Sequence, residues 1–235
     1  MAGALKVMST LAVELALKRE ILPAWASRNR DVQVYWSPTG VLVEKIKAGA
    51  RGDILIAIDE PINDMVEQGI LVRGSVRPLA RAAFGIAKLH GRSFPEISSV
   101  ETFKAALLQA KSIVYSRTGA SGIHFLKVID ELGIGDDIRS KALEVPSGFT
   151  AEKVVSGDAE IAVQQISELM SIDGVDIVGP FPEPHQKQTD FSSAIFTEAV
   201  NHEQAASFIE HLTSQCSMRA YAQCGLSPRT TRIAA

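Results

Sequence analysis

Short apolar runs alternate with amphipathic segments along the first part of the chain. The runs are rich in β-branched side chains and predict buried strands, and the segments between them repeat apolar residues at helical spacing. Pro23 is expected to break the first helix, because proline has no N–H to donate. Strands that alternate with helices and are joined by short connections predict an α/β protein with a largely parallel sheet. The expected strands and the helices after them are residues 5–9 and 11–27, 32–36 and 41–48, and 53–58 and 62–68.

The same alternation continues to the end of the chain. A longer β-prone run begins at Arg77, and Gly or Pro residues mark most of the connections. Further strands are expected at residues 77–88, 112–116, 141–145, 160–163, 175–178 and 191–196. Further helices are expected at residues 100–110, 123–132, 151–157, 166–170, 202–213 and 217–223.

The stretch 112–132 combines a strand, a glycine-containing loop and a helix. Its start, SIVYS, predicts a buried strand, and Ile123, Leu126 and Ile129 lie on one stripe of the following helix. The glycines let the backbone approach a ligand, and the free N–H groups of a helix start bind anions. The loop is therefore either an anion site or an ordinary strand-to-helix connection with Ser121 as the N-cap. Its candidate residues are Ser116, Arg117, Thr118, Gly119, Ala120, Ser121 and Gly122.

Hydroxyl and amide side chains recur where the predicted strands end. Parallel sheets bind ligands at the carboxyl ends of their strands. Hydroxyls are common in loops generally, so their recurrence at the same topological place is what predicts a ligand site. Outside the glycine-containing loop, the candidate ligand-binding residues at strand ends are Ser9, Thr10, Ser37, Thr39, Gln164 and Gln165.

Two further side chains are candidates for chemistry at such a site. Arg81 interrupts an apolar run, and is either a solvated arginine at a strand edge or a guanidinium that holds a carboxylate through two hydrogen bonds. His124 lies two residues beyond the loop. It is either a helix-face histidine packed against a strand or, in an enzyme, the general base.

Composition narrows the classes of partner. The chain has 235 residues, a net charge of −3, 6% aromatic residues and no basic block, which argues against a nucleic-acid-binding surface. Its apolar runs are too short to cross a bilayer, so no membrane insertion is expected. Cys216 and Cys224 are expected to be free thiols, because on one continuous helix they would lie about 12 Å apart. No Cys/His cluster has zinc-ligand spacing, and neither a metal nor a cofactor is expected.

Several pieces of the chain resemble a known family in their order. They are KVMSTLA, the run from VYWSPTG to EQGIL, SIVYSRTGASGIHFLKVIDELGI, VVSGDAEIAVQQISEL and YAQCGLSP. Together they resemble the molybdate-type solute-binding proteins of ABC importers over nearly the whole chain. The resemblance implies the two-lobed type II periplasmic-binding-protein fold, with a ligand cleft between the lobes. Lobe one would be residues 1–80 and 190–235, and lobe two residues 81–189.

The same resemblance implies which residues bind the ligand. Family members bind molybdate through serines after the first and second strands, which correspond here to Ser9 or Thr10 and to Ser37 or Thr39. They also use a helix start of small residues, here residues 119–122. The family commonly has a tyrosine after the GDAE-type strand, whereas this chain has AVQQ. The amide pair and the arginines named above favour an organic carboxylate over molybdate.

The resemblance implies two functions of different class. The first, which we expect, is a binding protein that closes around a small anion and presents it to an ABC permease. The second comes from a smaller branch that resembles aconitate isomerase, an enzyme that interconverts trans- and cis-aconitate on this fold. The resemblance assigns no catalytic residue, and His124 is the candidate base only by its position after the loop. A third class, the effector domain of a transcription regulator, shares the fold but has no helix-turn-helix here to support it. The protein is periplasmic if an export signal was removed, and cytoplasmic if the sequence as written is complete.

Overall fold

The computed structural model describes residues 4–27 and 31–230, which form an α/β protein with two compact units. Unit 1 contains the described residues up to Arg81 and those from Thr189 onwards, and unit 2 is Ala82–Gln188. The strands are β1 (Leu5–Ser9), β2 (Val32–Trp36), β3 (Ile54–Ile58), β4 (Arg77–Leu89), β5 (Ile113–Ser116), β6 (Ala142–Val145), β7 (Ile161–Gln165), β8 (Val175–Pro180), β9 (Gln188–Ile195) and β10 (Leu226–Pro228).

Helices follow most of the strands, as the alternation predicts. They are α1 (Glu14–Ala16), α2 (Leu22–Ala26), α3 (Thr39–Lys47), α4 (Asp59–Glu67), α5 (Val100–Gln109), α6 (Ala120–Glu131), α7 (Gly135–Arg139), α8 (Ala151–Val155), α9 (Ile166–Leu169), α10 (His202–Leu212) and α11 (Gln215–Gln223). Short 3₁₀ turns occur at Leu11–Val13 and Arg73–Ser75.

In unit 1, the first three strands form a parallel sheet. β1 lies between β2 and β3, with Ser9 aligned with Trp36 on one side and with Ile56 on the other. β9 is antiparallel to β3, where Ile54 is opposite Ile195. The apolar residues of β3 are buried on both faces, as expected for a strand inside a sheet that is covered on both sides.

In unit 2, β5 lies between β6 and β7 and is parallel to both. β4 is antiparallel to β7 and to β8. One face of the sheet buries an aromatic cluster that includes Phe84, Phe103, Tyr115, Phe125 and Phe181. The other face buries smaller and aliphatic side chains, among them Ala87, Val114, Ala162 and Leu169. Neighbouring residues of one strand therefore belong to different cores.

Strand β4 takes part in both units. It runs from Arg77 to Leu89, and the change from unit 1 to unit 2 falls between Arg81 and Ala82. The chain returns at the start of β9, between Gln188 and Thr189. Strand pairing follows the order β2-β1-β3-β9-β4-β7-β5-β6.

Pro23 does not break the first helix, in contrast to the sequence expectation. A π-helical turn at Leu17–Ile21 precedes it, in which the N–H of Leu22 donates to the carbonyl of Leu17, and helical structure continues to Ala26. The wider turn lets the helix pass a residue that has no N–H to donate.

The sequence does not predict α7 and β10. Gly133 ends α6 with a positive φ of 67°, but Gly135 begins α7 where the sequence suggests only a stop. Both elements are too short for hydrophobic periodicity to reveal. Cys216 and Cys224 are free thiols, as expected.

Candidate functional site

The predicted hydroxyl residues of unit 1 lie at one edge of its sheet. The N–H of Ser37 donates to the carbonyl oxygen of Ser9 (3.0 Å), and the N–H of Thr10 donates to that of Ile56 (2.9 Å). These bonds tie the ends of β1, β2 and β3 together. Ser9, Thr10, Ser37 and Thr39 are all buried, none of them more than 7% exposed. The structure therefore places these four buried residues at or just after the ends of the unit 1 strands.

Thr39 has unused hydrogen-bonding capacity. It is the first residue of α3, and the N-cap, Pro38, offers no side-chain hydrogen bond to the helix start. The buried Oγ1 of Thr39 has no hydrogen-bond partner within the described part of the chain. Ser9, in contrast, donates its hydroxyl to the carbonyl of Thr10 (3.2 Å). A buried free hydroxyl beside the unpaired N–H groups of a helix start suits an anion.

The glycine-containing loop of unit 2 holds the start of α6 directly against the end of β5. A Cβ on Gly122 would lie 1.8 Å from the carbonyl oxygen of Ser116, so only glycine fits there. The hydroxyl oxygen of Ser116 accepts a hydrogen bond from the N–H of Gly119 (3.2 Å). Ser116 and Ser121 are both buried. The hydroxyls of this loop therefore lie where the first-turn N–H groups of α6 begin.

The N-cap of α6 is Gly119, so the interpretation of Ser121 as the N-cap is wrong. Gly119 has an extended backbone (φ −76°, ψ 150°), and α6 begins at Ala120. Ser121 consequently lies inside the first turn. Because glycine has no side chain, it leaves the first-turn N–H groups uncapped.

Arg117 and Thr118 form the exposed part of the loop. The hydroxyl of Thr118 donates to the carbonyl of Pro146 (2.7 Å), and the N–H of Arg117 donates to that of Val145 (2.9 Å). Both bonds tie the loop to the end of β6. The guanidinium of Arg117 forms no ion pair with any residue that the structure describes.

The two glutamines at the end of β7 differ in their hydrogen bonding. Oε1 of Gln164 accepts from the N–H and the hydroxyl of Thr150 (2.8 and 2.9 Å), and its Nε2 donates to the carbonyl of Gly148 (2.9 Å). Gln164 therefore holds the turn before α8. Gln165 is also buried, but its Oε1 has no partner among the residues described. Of the pair, Gln165 retains the capacity to bind a ligand.

Arg81 forms a bidentate ion pair with Asp190 inside unit 1. Its Nε and Nη2 donate to the two carboxylate oxygens at 2.5 and 2.8 Å. The guanidinium of Arg229 lies 3.4 Å from the same carboxylate and 2.9 Å from that of Asp59. The hydrogen bond from Arg81 lowers the pKa of Asp190, with a further contribution from the charge of Arg229, and raises the pKa of Arg81. Asp190 therefore already occupies two of the hydrogen-bond donors of Arg81. A contact between Arg81 and a ligand stays a prediction.

His124 packs against the aromatic cluster of unit 2. Its ring centroid lies 5.5 Å from that of Phe84 and 6.3 Å from that of Phe181. Its Nε2 lies 2.7 Å from the carbonyl oxygen of His185. Because a carbonyl only accepts, Nε2 carries the hydrogen in the neutral ring, and Nδ1 is the basic nitrogen. Catalysis by His124 stays a prediction.

Three buried polar residues lie outside the set that the sequence predicts. Thr150 supports Gln164, and Ser167 and Ser193 have hydroxyl oxygens without a partner in the described residues. Ser193 is aligned with Ile56, which is itself aligned with Ser9. The serine of QQISEL, just after the end of β7, is a signal in the sequence for Ser167, whereas Ser193 lies inside an antiparallel strand and carries no strand-end signal.

A cavity of about 500 Å³ lies at the opposite, amino edge of the unit 2 strands. Lys88, Arg92, Phe94, Lys111 and Glu160 are among its lining residues. It includes none of the predicted site residues. In the parts of the chain described, no group of three or more His, Cys, Asp or Glu residues is placed to hold a metal ion, and no helix is long and apolar enough to cross a membrane.

Several solved structures have a similar fold. The periplasmic molybdate-binding protein of Azotobacter vinelandii is 16% identical, with a TM-score of 0.76, over 94% of this chain and 98% of that one. PEB3 of Campylobacter jejuni, solved with L-phospholactate bound, is 16% identical, with a TM-score of 0.71, over 96% of this chain and 100% of that one. At these identities the likeness shows the fold alone: that of the periplasmic binding proteins, as the sequence resemblance implies.

The family follows from the sequence as a whole. The model of the bacterial extracellular solute-binding proteins matches residues 5–226, and the chain belongs to this family. An aconitate isomerase of Pseudomonas sp is 28% identical over 177 residues, which are 75% of this chain and 67% of that enzyme. The resemblance to solute-binding proteins, in the neighbourhood that includes aconitate isomerase, is confirmed.

Proposed function

We propose that the protein binds a small anion, an organic carboxylate rather than molybdate, as the solute-binding component of an ABC importer. The observation that carries this proposal is the buried Oγ1 of Thr39 at the start of α3, which has no hydrogen-bond partner among the described residues. It lies at the sheet edge that also holds Ser9, Thr10 and Ser37. The hydroxyls of Thr10, Ser37 and Thr39 are neutral donors, which enclose an anion without adding a charge that must itself be buried.

The glycine-containing loop of unit 2 carries a second set of donors. The first-turn N–H groups of α6 are uncapped, and the hydroxyl of Ser121 lies among them. Molybdate and L-phospholactate, named for two proteins of this fold, are both anions. The chemistry of each set therefore favours an anionic ligand.

The guanidinium of Arg117 in the loop and the glutamines at the end of β7 favour a carboxylate over a tetrahedral oxyanion. Arg117 has a guanidinium without an ion-pair partner among the described residues, and guanidinium groups bind carboxylates bidentately. Gln164 or Gln165 replaces the tyrosine that the family resemblance implies, and an amide side chain both donates and accepts. Molybdate needs neither group, because hydroxyls and N–H groups alone can enclose it.

Calorimetry tests the proposal with molybdate, sulfate and a series of di- and tricarboxylates, including cis- and trans-aconitate. We expect binding of at least one carboxylate, which is weakened by Arg117→Ala and unchanged by Arg92→Ala. Arg92 is a suitable control, since it too is exposed and forms no ion pair with a described residue. Tight molybdate binding with no response to any carboxylate would refute the proposed ligand class.

Isomerisation of aconitate is the second candidate function, favoured by the 28% identity to an aconitate isomerase. In this case Nδ1 of His124 would take a proton from one carbon of the substrate, and the proton would return at the other end of the shifted double bond. Incubation with trans-aconitate, followed by nuclear magnetic resonance of the product, separates the two functions. An isomerase produces cis-aconitate and loses this activity in His124→Gln, whereas a binding protein leaves the substrate unchanged.

The proposed importer also implies a partner and a compartment. A solute-binding protein delivers its ligand to an ABC permease, and the family description places such proteins outside the cytoplasm. We therefore propose a permease as the partner and the periplasm as the location. Fractionation of cells that express the complete gene tests the location, and a protein confined to the cytoplasm would favour the enzyme.

A further inference from the structure

Gln165 is on the face of the unit 2 sheet that α6 covers. Gln165, in β7, is directly opposite Phe84 of the antiparallel strand β4, so the two side chains point to the same face. Val163, two residues before Gln165 in β7, points to that face as well. Phe84 and Val163 belong to the core cluster that also contains Phe125 of α6. Gln164 faces the other way, with Ala162, towards Thr150. The side chain of Gln165 is therefore directed to the side where the start of α6 meets the end of β5.

The oxygen of this side chain sets a condition on the ligand. An amide oxygen only accepts hydrogen bonds, and Oε1 of Gln165 is buried without a donor among the described residues. A fully ionised carboxylate, sulfate or molybdate offers acceptors alone and leaves this oxygen unsatisfied. The hydroxyl of the nearby Ser167 also has no partner among the described residues, but a hydroxyl donates as readily as it accepts. It therefore does not discriminate between ligands that offer a donor and ligands that offer only acceptors.

We infer that the ligand is a hydroxycarboxylate, whose hydroxyl donates a hydrogen bond to Oε1 of Gln165 while the donors of the α6 start bind a carboxylate group. This inference rests on the proposed function, because it names the class of carboxylate that the same site accepts. A site built to bind a hydroxyl rejects the analogue that lacks it, since the buried partner is then left unpaired.

Two pairs of acids that differ by a single hydroxyl test the inference. They are citrate with propane-1,2,3-tricarboxylate, and L-malate with succinate. Calorimetry of the complete chain at neutral pH is expected to give a dissociation constant about tenfold or more lower for the hydroxy acid of at least one pair. The ratio within a pair is the measured quantity, and it does not depend on the fraction of protein that is folded.

Variants at the two glutamines assign the preference to one side chain. Gln165→Leu removes the acceptor, so we expect the two acids of a pair to bind with dissociation constants that differ by about twofold or less. Gln165→Glu retains an acceptor, so the hydroxy acid remains preferred although the added charge weakens both ligands. Gln164→Leu is the control: it removes bonds to Thr150 and Gly148, so it lowers the melting temperature without changing the ratio.

The outcomes separate this inference from the proposed function. Equal affinities within both pairs, or a preference that survives in Gln165→Leu, would overturn the hydroxycarboxylate inference and leave the carboxylate class intact. If none of the four acids binds while molybdate does, both the ligand class and the inference are wrong.

Discussion

The guanidinium of Arg81 and the carboxylate of Asp190 are joined by two parallel hydrogen bonds. Arg81 is the last residue of unit 1 before the chain enters unit 2, and Asp190 is the second residue after the chain returns. The pair therefore connects the two segments of unit 1 where the chain leaves and re-enters it. Arg229, near the C-terminal end of the described chain, contacts the same carboxylate.

Asp190→Asn is expected to lower the free energy of unfolding by about 1 kcal/mol at neutral pH, since both partners are partly exposed and solvent screens the pair. Urea denaturation measures the change. Glu44→Gln is the control, because Glu44 pairs with Lys47 where both side chains are largely exposed. An equal effect of the two substitutions would contradict a special role for Asp190.

The contribution of Asp190 to stability is expected to depend on pH. Its pKa is lowered in the folded protein, first by the hydrogen bond from Arg81. The stabilisation is therefore complete above the ordinary carboxyl pKa of about 3.9 and is lost as the pH falls through the lower pKa of the folded state. Unfolding free energies measured from neutral pH down to acid should converge for wild type and Asp190→Asn. A gap that stays constant at low pH would contradict this prediction.

Thr39→Val is expected to weaken anion binding without loss of stability. Valine has the shape of threonine, and the hydroxyl that it removes has no partner among the described residues. Removal of a hydrogen bond to a charged ligand costs about 1–2 kcal/mol, or roughly a 5- to 30-fold rise in the dissociation constant. Calorimetry and thermal denaturation measure the two effects separately.

Thr150→Val is the matched control for Thr39→Val. The hydroxyl of Thr150 donates to Gln164, so its removal is expected to lower the melting temperature. Loss of stability in Thr39→Val comparable to that in Thr150→Val would show that the Thr39 hydroxyl has a structural role.

Ser37→Ala and Ser121→Ala are each expected to weaken ligand binding by about 1 kcal/mol or somewhat more, with little change in stability. Ser37 belongs to the hydroxyl set of unit 1, and Ser121 to the start of α6 in unit 2. Affinity that falls in only one of the two variants would restrict the ligand contacts to that unit.

Gly122→Ala is expected to destabilise unit 2 by about 1–3 kcal/mol or more. The added Cβ would collide with the carbonyl oxygen of Ser116, a backbone atom that can move only if α6 moves away from β5. Gly40→Ala, in the first turn of α3, is the control, since its Cβ would have no atom within 4 Å. Circular dichroism melts compare the two variants, and similar melting temperatures would contradict the predicted close packing.

The sequence by itself determined the α/β class, most of the strands and the family. The class and the strands follow because buried strands and amphipathic helices leave periodic patterns that do not depend on distant residues: β1 and β2 have the predicted bounds. The family follows from the similarity of the sequence itself, which matches the family model over residues 5–226. It also identified the strand-end hydroxyls, since parallel strands must bring their carboxyl ends to one edge. The assignment of the two units as ligand-binding lobes, and the ligand itself, stay predictions.

Only the tertiary structure decided the hydrogen-bonding state of the candidate residues. Gln164 and Gln165 are identical neighbours in sequence, but one is saturated by Thr150 and Gly148, and the other has a buried oxygen without a partner in the described chain. The pairing of Arg81 with Asp190 likewise joins residues 109 positions apart. Such differences arise from which side of the sheet a residue faces and which distant segment packs there, and local patterns do not carry that information.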